Sequence, residues 1–358
     1  MIKSPKHIHS IQRYIPGKPV EELERELGIS DSVKLASNEN PVGPSPMALK
    51  ALKNAVSGLH RYPDGNCYYL RDALAAHLET DPEGLIFGNG SNELIELAVR
   101  TFLAPGEKTI SAHPSFVVYP TITQAAKGTC TLVPLKENRH DLMAMASKIT
   151  ARTRIIFIAN PNNPTGTINT AEEVDEFMKV VPDNILVVFD EAYYEYVSSG
   201  DYAESLKHLK AGRSILILRT FSKMYGLAGL RIGYGITSPE IAMEINKVRQ
   251  PFNVNSLAQI AAVAALQDLT HIAKSKKNNE QGKQFFYREL TRLGLEYIPT
   301  EANFIYISLK DRNSSELNSV LLKEGVIIRP AGPSSIRITI GLPGENKRMI
   351  SALEKAIA

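Results

Sequence analysis

The sequence predicts an α/β protein: a mostly parallel sheet lies between helices, and a smaller α+β unit follows it. Three observations predict this. From Lys108 onward, short apolar runs alternate with segments of helical period, as strand–helix–strand units require. The runs Ile155-Ile156-Phe157-Ile158, Ile185-Leu186-Val187-Val188-Phe189 and Ile215-Leu216-Ile217-Leu218 are continuously apolar, which suits strands covered on both faces. From about Val248 the pattern changes to helices followed by short strands.

Bulk properties narrow the function classes. A chain of 358 residues, 43% hydrophobic and 22% charged, has the length and composition for two domains with a large core. A formal net charge of +3, with no Trp and no basic run interleaved with aromatics, argues against nucleic acid and acidic membranes as partners. Cys67 and Cys130 belong to no metal-spaced pattern, and two cysteines suit a reducing cytosol. His7 and His9 lie on a polar arm without partner ligands, so no metal site is expected. The first residues lack the apolar core of a signal peptide, and no apolar run approaches a bilayer-spanning length. A cytoplasmic protein is expected.

Taken in order, residues 1–30 give a polar arm and an amphipathic helix over Val20–Leu27. Tyr14, in Arg13-Tyr14-Ile15-Pro16-Gly17, is a packing residue or a ligand-binding one. The Pro- and Asn-rich stretch Asn38-Glu39-Asn40-Pro41 through Gly43-Pro44-Ser45-Pro46 reads as an ordered loop. A helix from Met47 to Val56 follows, then the turn His60-Arg61-Tyr62-Pro63-Asp64-Gly65, then a helix carrying Leu70, Leu74 and Leu78 on one face. The strand Leu85-Ile86-Phe87 runs into Gly88-Asn89-Gly90-Ser91-Asn92 and a helix through Phe102. Free amides at such a helix start attract an anion, although Ser91 also suits a purely structural N-cap. The glycines do not spell Gly-x-Gly-x-x-Gly, and no Gly-Lys-Ser/Thr follows, so dinucleotide and P-loop readings are poor.

Ligands of parallel sheets collect at the carboxyl ends of the strands. Three such ends carry unusual sequences. After Phe157-Ile158-Ala159 comes Asn160-Pro161-Asn162-Asn163-Pro164-Thr165-Gly166, and Thr170 with Glu173 then forms a capping box. After Val188-Phe189 comes Asp190-Glu191-Ala192-Tyr193. After Leu218-Arg219 comes Thr220-Phe221-Ser222-Lys223-Met224-Tyr225-Gly226-Leu227-Ala228-Gly229-Leu230-Arg231. Taken alone, this stretch is either an ordinary surface loop with a solvated lysine or what an aldehyde cofactor with a phosphate tail requires: the amine forms a Schiff base and the other donors hold the phosphate. In the last third, helices at Ser256–Leu269 and Ile272–Leu293 precede short strands at Phe304–Ile307, Val326–Ile328 and Ile336–Ile340. Arg337 alternates with Ile336 and Ile338, so it projects from one face, where it is a rim charge or a grip for an anion.

These segments, with Arg61-Tyr62-Pro63-Asp64, His113-Pro114-Ser115-Phe116 and Glu301-Ala302-Asn303-Phe304, resemble the aspartate-aminotransferase-like superfamily of pyridoxal-phosphate enzymes. Within it they are similar to the histidinol-phosphate aminotransferases, across nearly the whole chain and in family order. The resemblance implies a fold-type I architecture with a seven-stranded sheet. It divides the chain into a large cofactor-binding unit at 30–247 and, at 1–29 and 248–358, an arm and a small unit.

It also implies roles. Lys223 would hold pyridoxal 5'-phosphate and then move the proton between substrate and cofactor. Asp190 would keep the pyridine nitrogen protonated, and Asn163 and Tyr193 would hydrogen-bond the ring oxygen. Phe116 would stack on the ring. Gly90, Ser91, Asn92, Thr220, Ser222 and Arg231 would clamp the phosphate, joined by Tyr62 from the neighbouring subunit of a homodimer with shared active sites. Arg337 would grip the carboxylate of glutamate or 2-oxoglutarate. Tyr14, Asn40 and Arg329 would complete the binding of histidinol phosphate. The reaction implied is amino transfer between histidinol phosphate and 2-oxoglutarate in histidine biosynthesis. Threonine-phosphate decarboxylation and broad aromatic transamination are the rival activities, and a non-catalytic binding protein on the same fold is the rival of another class.

Overall fold

Seven strands form one sheet in the order Leu85–Gly88, Gly233–Ile236, Ile215–Thr220, Leu186–Asp190, Thr153–Ala159, Lys108–His113 and Thr129–Pro134. The coordinates are a computed structural model that describes residues 2–13 and 17–357. The five strands from Ile215–Thr220 to Thr129–Pro134 are mutually parallel. Gly233–Ile236 runs antiparallel to both of its neighbours.

Successive residues of the apolar runs enter different cores. Ile156, Ile158, Val187, Phe189, Ile215 and Ile217 pack on one face with helices Pro46–Ala55, Tyr68–Leu78, Ala171–Val180 and Ser256–Gln267. Ile155, Phe157, Val188, Leu216 and Leu218 pack on the other with Ser91–Phe102, Val118–Ala125 and Pro239–Val248. Both faces being covered, no polar alternation survives, and each buried aliphatic or Phe side chain contributes about 1.5–3 kcal/mol. Although it lies beyond residue 248, Ser256–Gln267 belongs to the first of these clusters through Ala258, Ala261, Ala262 and Ala265.

A second sheet is antiparallel throughout, in the order Arg329–Gly332, Ser335–Thr339, Phe304–Ser308 and Glu296–Ile298. Ile305, Ile307, Ile336 and Ile338 pack with Phe286, Leu290, Met349 and Leu353 from the helices Leu269–Arg292 and Pro343–Ile357. The opposite side of the same strands carries Phe304, which meets Tyr193, and Arg337.

The structure departs from the sequence expectation at Val326–Ile327 and adds four strands, Val33–Lys34, Gly233–Ile236, Glu296–Ile298 and Arg329–Gly332. Val326–Ile327 does not join the small sheet but pairs in parallel with Val33–Lys34. Arg329–Gly332 was masked by Pro330 and Gly332, and Gly233–Ile236 by its two glycines, because both residue types are depleted in strands. Those glycines are nonetheless required. A Cβ on Gly233 would lie 2.5 Å from the amide nitrogen of Ser91, and one on Gly235 would lie 2.8 Å from Ile86. The bare Gly233 lets the helix start at Ser91 approach the sheet, and the bare Gly235 leaves room for the Ile86 and Leu216 side chains of the neighbouring strands.

Candidate active site

The carboxyl ends of the parallel strands open into a cavity of about 430 Å³. Lys223, Asp190, Tyr193 and Asn163 line it, as do Phe116, Ser91 and Asn92. Thr220, Ser222 and Arg231 form another part of the wall, and Arg329 and Arg337 reach it from the small sheet. The expected convergence of carboxylate, phenol, amide and amine is therefore realised.

Asp190 ends its strand fully inside the protein. Tyr119 Oη donates to its Oδ2 at 2.7 Å and the Ala192 amide to its Oδ1 at 3.2 Å. Burial raises the carboxyl pKa, against the lowering effect of these donors and of Lys223. Such a carboxyl is ready for a cationic partner in the cavity. Tyr119 was read from the sequence only as part of a helix. Phe116 precedes the helix Val118–Ala125, and its ring meets that of Tyr119 edge to face with centres 5.6 Å apart, but nothing in an apolar pattern marks a hydroxyl as a carboxylate partner.

Lys223 lies in the loop after Thr220, and its Nζ donates to the Ser37 carbonyl at 3.1 Å. Burial, then Arg337 and Arg231, lower its pKa to about 8, while Glu39 and Asp190 oppose them. A lysine that sheds its proton near pH 8 is a usable nucleophile and base.

Tyr193 Oη accepts from Asn38 Nδ2 at 2.9 Å. Asn38 sits at φ 56°, and its amide, its Oδ1 and its carbonyl engage Thr339 and Asn303 at 2.9, 3.1 and 3.0 Å. Asn38 thus joins the large sheet to the small one at the cavity wall. The sequence showed this segment as a loop without revealing which asparagine faces inward. Asn40, expected to touch substrate, does not line the cavity. Its Nδ2 donates to the Met224 carbonyl at 2.7 Å and to Ser275 Oγ at 2.9 Å, and its Oδ1 accepts from the Val42 amide at 3.0 Å. These bonds hold the loop in place.

Arg337 donates from Nη1 to Asn163 Oδ1 and from Nη2 to the Ala36 carbonyl, both at 2.6 Å, and its guanidinium lies 5.3 Å from the Phe304 ring centre. With Oδ1 taken, Asn163 keeps its NH2 group for donation. Arg329 is directly opposite Arg337 in register.

At another part of the wall, Gly90 at φ 80° precedes the helix Ser91–Phe102. Gly90 is the N-cap and Ser91 the first helical residue, so the capping explanation of Ser91 does not apply. The helix start presents amides that have no intrahelical partner. A Cβ on Gly90 would lie 2.5 Å from Nη2 of Arg231. Arg231, itself at φ 56°, donates from Nη1 to Ser222 Oγ at 3.3 Å and to the Ala228 carbonyl at 3.0 Å. The glycine thus leaves room for a guanidinium beside free amides and two hydroxyls, a cradle for a phosphate dianion. Four cations (Lys223, Arg231, Arg329, Arg337) face two carboxylates (Glu39, Asp190) among the lining residues, so the cavity favours anions. This donor set fits pyridoxal phosphate: anion-binding groups for the tail, a buried carboxyl for the ring nitrogen, and a lysine for the aldehyde.

Tyr62 is not part of its own chain's cavity. It is 84% exposed and stacks on Phe252 with ring centres 4.9 Å apart. Tyr14 lies outside the described residues. Among the described residues no cluster of His, Cys, Asp or Glu could hold a metal ion. Behind the cavity, Arg219 donates from Nε and Nη2 to Glu191 Oε2 at 2.9 and 2.8 Å and stacks 3.6 Å from the Tyr194 ring centre. This buried ion pair joins the residue after Asp190 to the residue before Thr220.

The family model for aminotransferase class I and II matches residues 30–353. A histidinol-phosphate aminotransferase of Moorella thermoacetica is 50% identical over 356 residues, covering 98% of this chain and 92% of that protein. Histidinol-phosphate aminotransferase 2 of Pseudomonas fluorescens is 49% identical over 98% of this chain and 96% of its own length. The crystal structure of a histidinol-phosphate aminotransferase from Sinorhizobium meliloti, in complex with pyridoxal-5'-phosphate, superposes with a TM-score of 0.91 at 28% identity, covering 100% of this chain and 98% of that one.

Proposed function

Because the chain belongs to the class I and II aminotransferases, we propose that it transfers an amino group reversibly between histidinol phosphate and 2-oxoglutarate. The products are imidazole-acetol phosphate and glutamate, and the cofactor is pyridoxal phosphate. The observation that carries the substrate reading is the pair Arg329 and Arg337, facing each other in register at the cavity wall. One site must accept a dicarboxylate and a phosphate ester in turn, and two guanidiniums can serve either anion.

Bound pyridoxal phosphate supplies an aldehyde for the substrate amine and an electron-withdrawing ring. The chain supplies the rest. Arg231, Ser222, Thr220 and the first amides of Ser91–Phe102 would hold the phosphate, and Phe116 would flank the ring. The Asp190 carboxylate, oriented by Tyr119 and Ala192, would hold a proton at the ring nitrogen. Asn163 and Tyr193 would donate to the ring oxygen. The Lys223 amine, unprotonated above pH 8 or so, would take the proton from the substrate carbon and return it one position away. Steady-state rates with histidinol phosphate and 2-oxoglutarate, set against aspartate, phenylalanine and threonine phosphate, test this. The highest kcat/KM is expected for histidinol phosphate; equal turnover of the other amines, or carbon dioxide release from threonine phosphate without a keto acid, would reject it.

We also infer a homodimer. Val56, Leu59, Tyr62, Tyr68, Tyr69 and Phe252 are exposed apolar side chains on a surface built around Pro46–Ala55 and Tyr68–Leu78. A second copy of this chain is the partner that would cover them and bring Tyr62 to the neighbouring phosphate site. Mixing Lys223→Ala and Tyr62→Ala chains should restore activity, since one site of each hybrid would have both residues. No restoration would mean that Tyr62 does not serve its neighbour. Free thiols at Cys67 and Cys130 support a cytoplasmic setting, and no described helix is long and apolar enough to cross a membrane.

A further inference from the structure

His140 plays no part in the chemistry above and does not line the cavity, yet it is 3% exposed and touches the loop that carries Asn163. Its Nε2 lies 3.1 Å from Oδ1 of Asn162. That oxygen also accepts from Ser115 Oγ at 2.8 Å, while Asn162 Nδ2 donates to the Pro114 carbonyl at 3.3 Å and to Thr165 Oγ1 at 2.9 Å. The orientation of the amide follows from these partners. Pro114 O can only accept, so it must face the NH2 group, which leaves the carbonyl oxygen towards His140 and Ser115. An oxygen cannot donate, so His140 must carry its proton on Nε2. Its Nδ1 is then a bare lone pair, and it is buried without a hydrogen-bond partner. A second proton there would find no acceptor, and burial lowers the imidazole pKa to about 4.

Both donors and both acceptor positions of the Asn162 side chain are therefore in use. They join three segments: Pro114-Ser115, next to Phe116; His140, in the connection that follows the strand Thr129–Pro134; and the Asn162–Thr165 turn, which includes Asn163. The His140 carbonyl is itself tied down by Asn169 Nδ2 at 2.9 Å. Phe116 and Asn163 both reach the cavity, while the hub between them stays outside it.

We propose that His140 is a positioning residue: as the neutral Nε2–H tautomer it fixes the amide of Asn162, which sets Phe116 and Asn163 relative to one another around the cofactor ring. The inference rests on the cofactor reading above. Its test uses the full chain, with pyridoxal phosphate affinity of the cofactor-free protein, the visible spectrum of the bound cofactor, and steady-state rates as readouts. Gln places an NH2 group near the position of the imidazole Nε2, whereas Asn places one near Nδ1. His140→Gln should therefore match the wild type, while His140→Asn and His140→Leu should bind the cofactor about tenfold more weakly and shift its absorption. Nitrogen NMR of selectively labelled histidine should show an Nε2–H tautomer unchanged between about pH 5 and 8. Equal loss in the Gln and Asn variants would reduce His140 to a packing residue, and so would an Nδ1–H tautomer. If the wild type binds pyridoxal phosphate and all three variants behave like it, the positioning role alone is refuted. If the wild type takes up none, the cofactor reading and this inference fall together.

Discussion

Replacing Arg219 with Met tests how the strand ends behind the cavity are held. The guanidinium makes two charge-assisted bonds to one oxygen of Glu191, at 2.9 and 2.8 Å, with only 6% and 1% of the two side chains exposed. Burial alone would favour loss of the arginine proton, but Glu191 overrides this and the cation persists. Its removal leaves a carboxylate with no water and no counterion, an error that costs about 3–5 kcal/mol. The lost stack on Tyr194 adds about 0.5–2 kcal/mol. Replacing both partners by Met removes both charges of the pair together, so Glu191→Met/Arg219→Met should recover most of the loss, with a coupling energy of about 3 kcal/mol or more. Denaturant titration of the four proteins without cofactor, followed by circular dichroism, measures it. The reasoning fails if Arg219→Met costs less than about 1 kcal/mol, or if the double variant is no better than the sum of the single ones.

Four further outcomes are expected. The Lys223 pKa is lowered from 10.5 in the unfolded chain to about 8, so this group destabilises the folded state below pH 8 and the penalty disappears as pH rises towards 10.5. Stability of the cofactor-free protein should therefore gain from this source over that window, and Lys223→Met should abolish the gain. The rate of pyridoxal phosphate uptake, followed by absorbance, should rise with pH through about 8, and a flat profile would contradict a buried amine. Gly90→Ala should cost about 1–3 kcal/mol in backbone strain at φ 80° and ψ 165°, and displace Arg231, weakening cofactor binding measured by equilibrium dialysis. Arg337→Met should raise the KM for 2-oxoglutarate roughly ten- to a hundredfold, the worth of a charged hydrogen bond, and an unchanged KM would reassign the carboxylate grip.

Much of the site was legible in the sequence because strands buried on both faces must be apolar and must stop where polar chemistry begins. Asp190, Asn163 and the Thr220–Arg231 loop each follow such a run, so their gathering at one sheet edge follows from chain order and parallel topology alone. The Thr170 capping box and the placing of Arg337 on the strand face opposite Ile336 and Ile338 were equally local, set by helix-start chemistry and by the two-residue period of a strand. Tertiary structure decided which loop side chains turn inward. Asn38 and Asn40 are two residues apart in an irregular segment with no period to assign their directions, yet one bonds Tyr193 and the other Met224 and Ser275. The partners of Arg337 are Asn163 and the carbonyl of Ala36, 174 and 301 residues away. Tyr119 beneath Asp190, the Asn162 hub and the glycine strand 233–236 depend in the same way on close approaches between distant segments. Such contacts leave no periodic trace, because each is fixed by the packing of whole elements rather than by the spacing of residues along one of them.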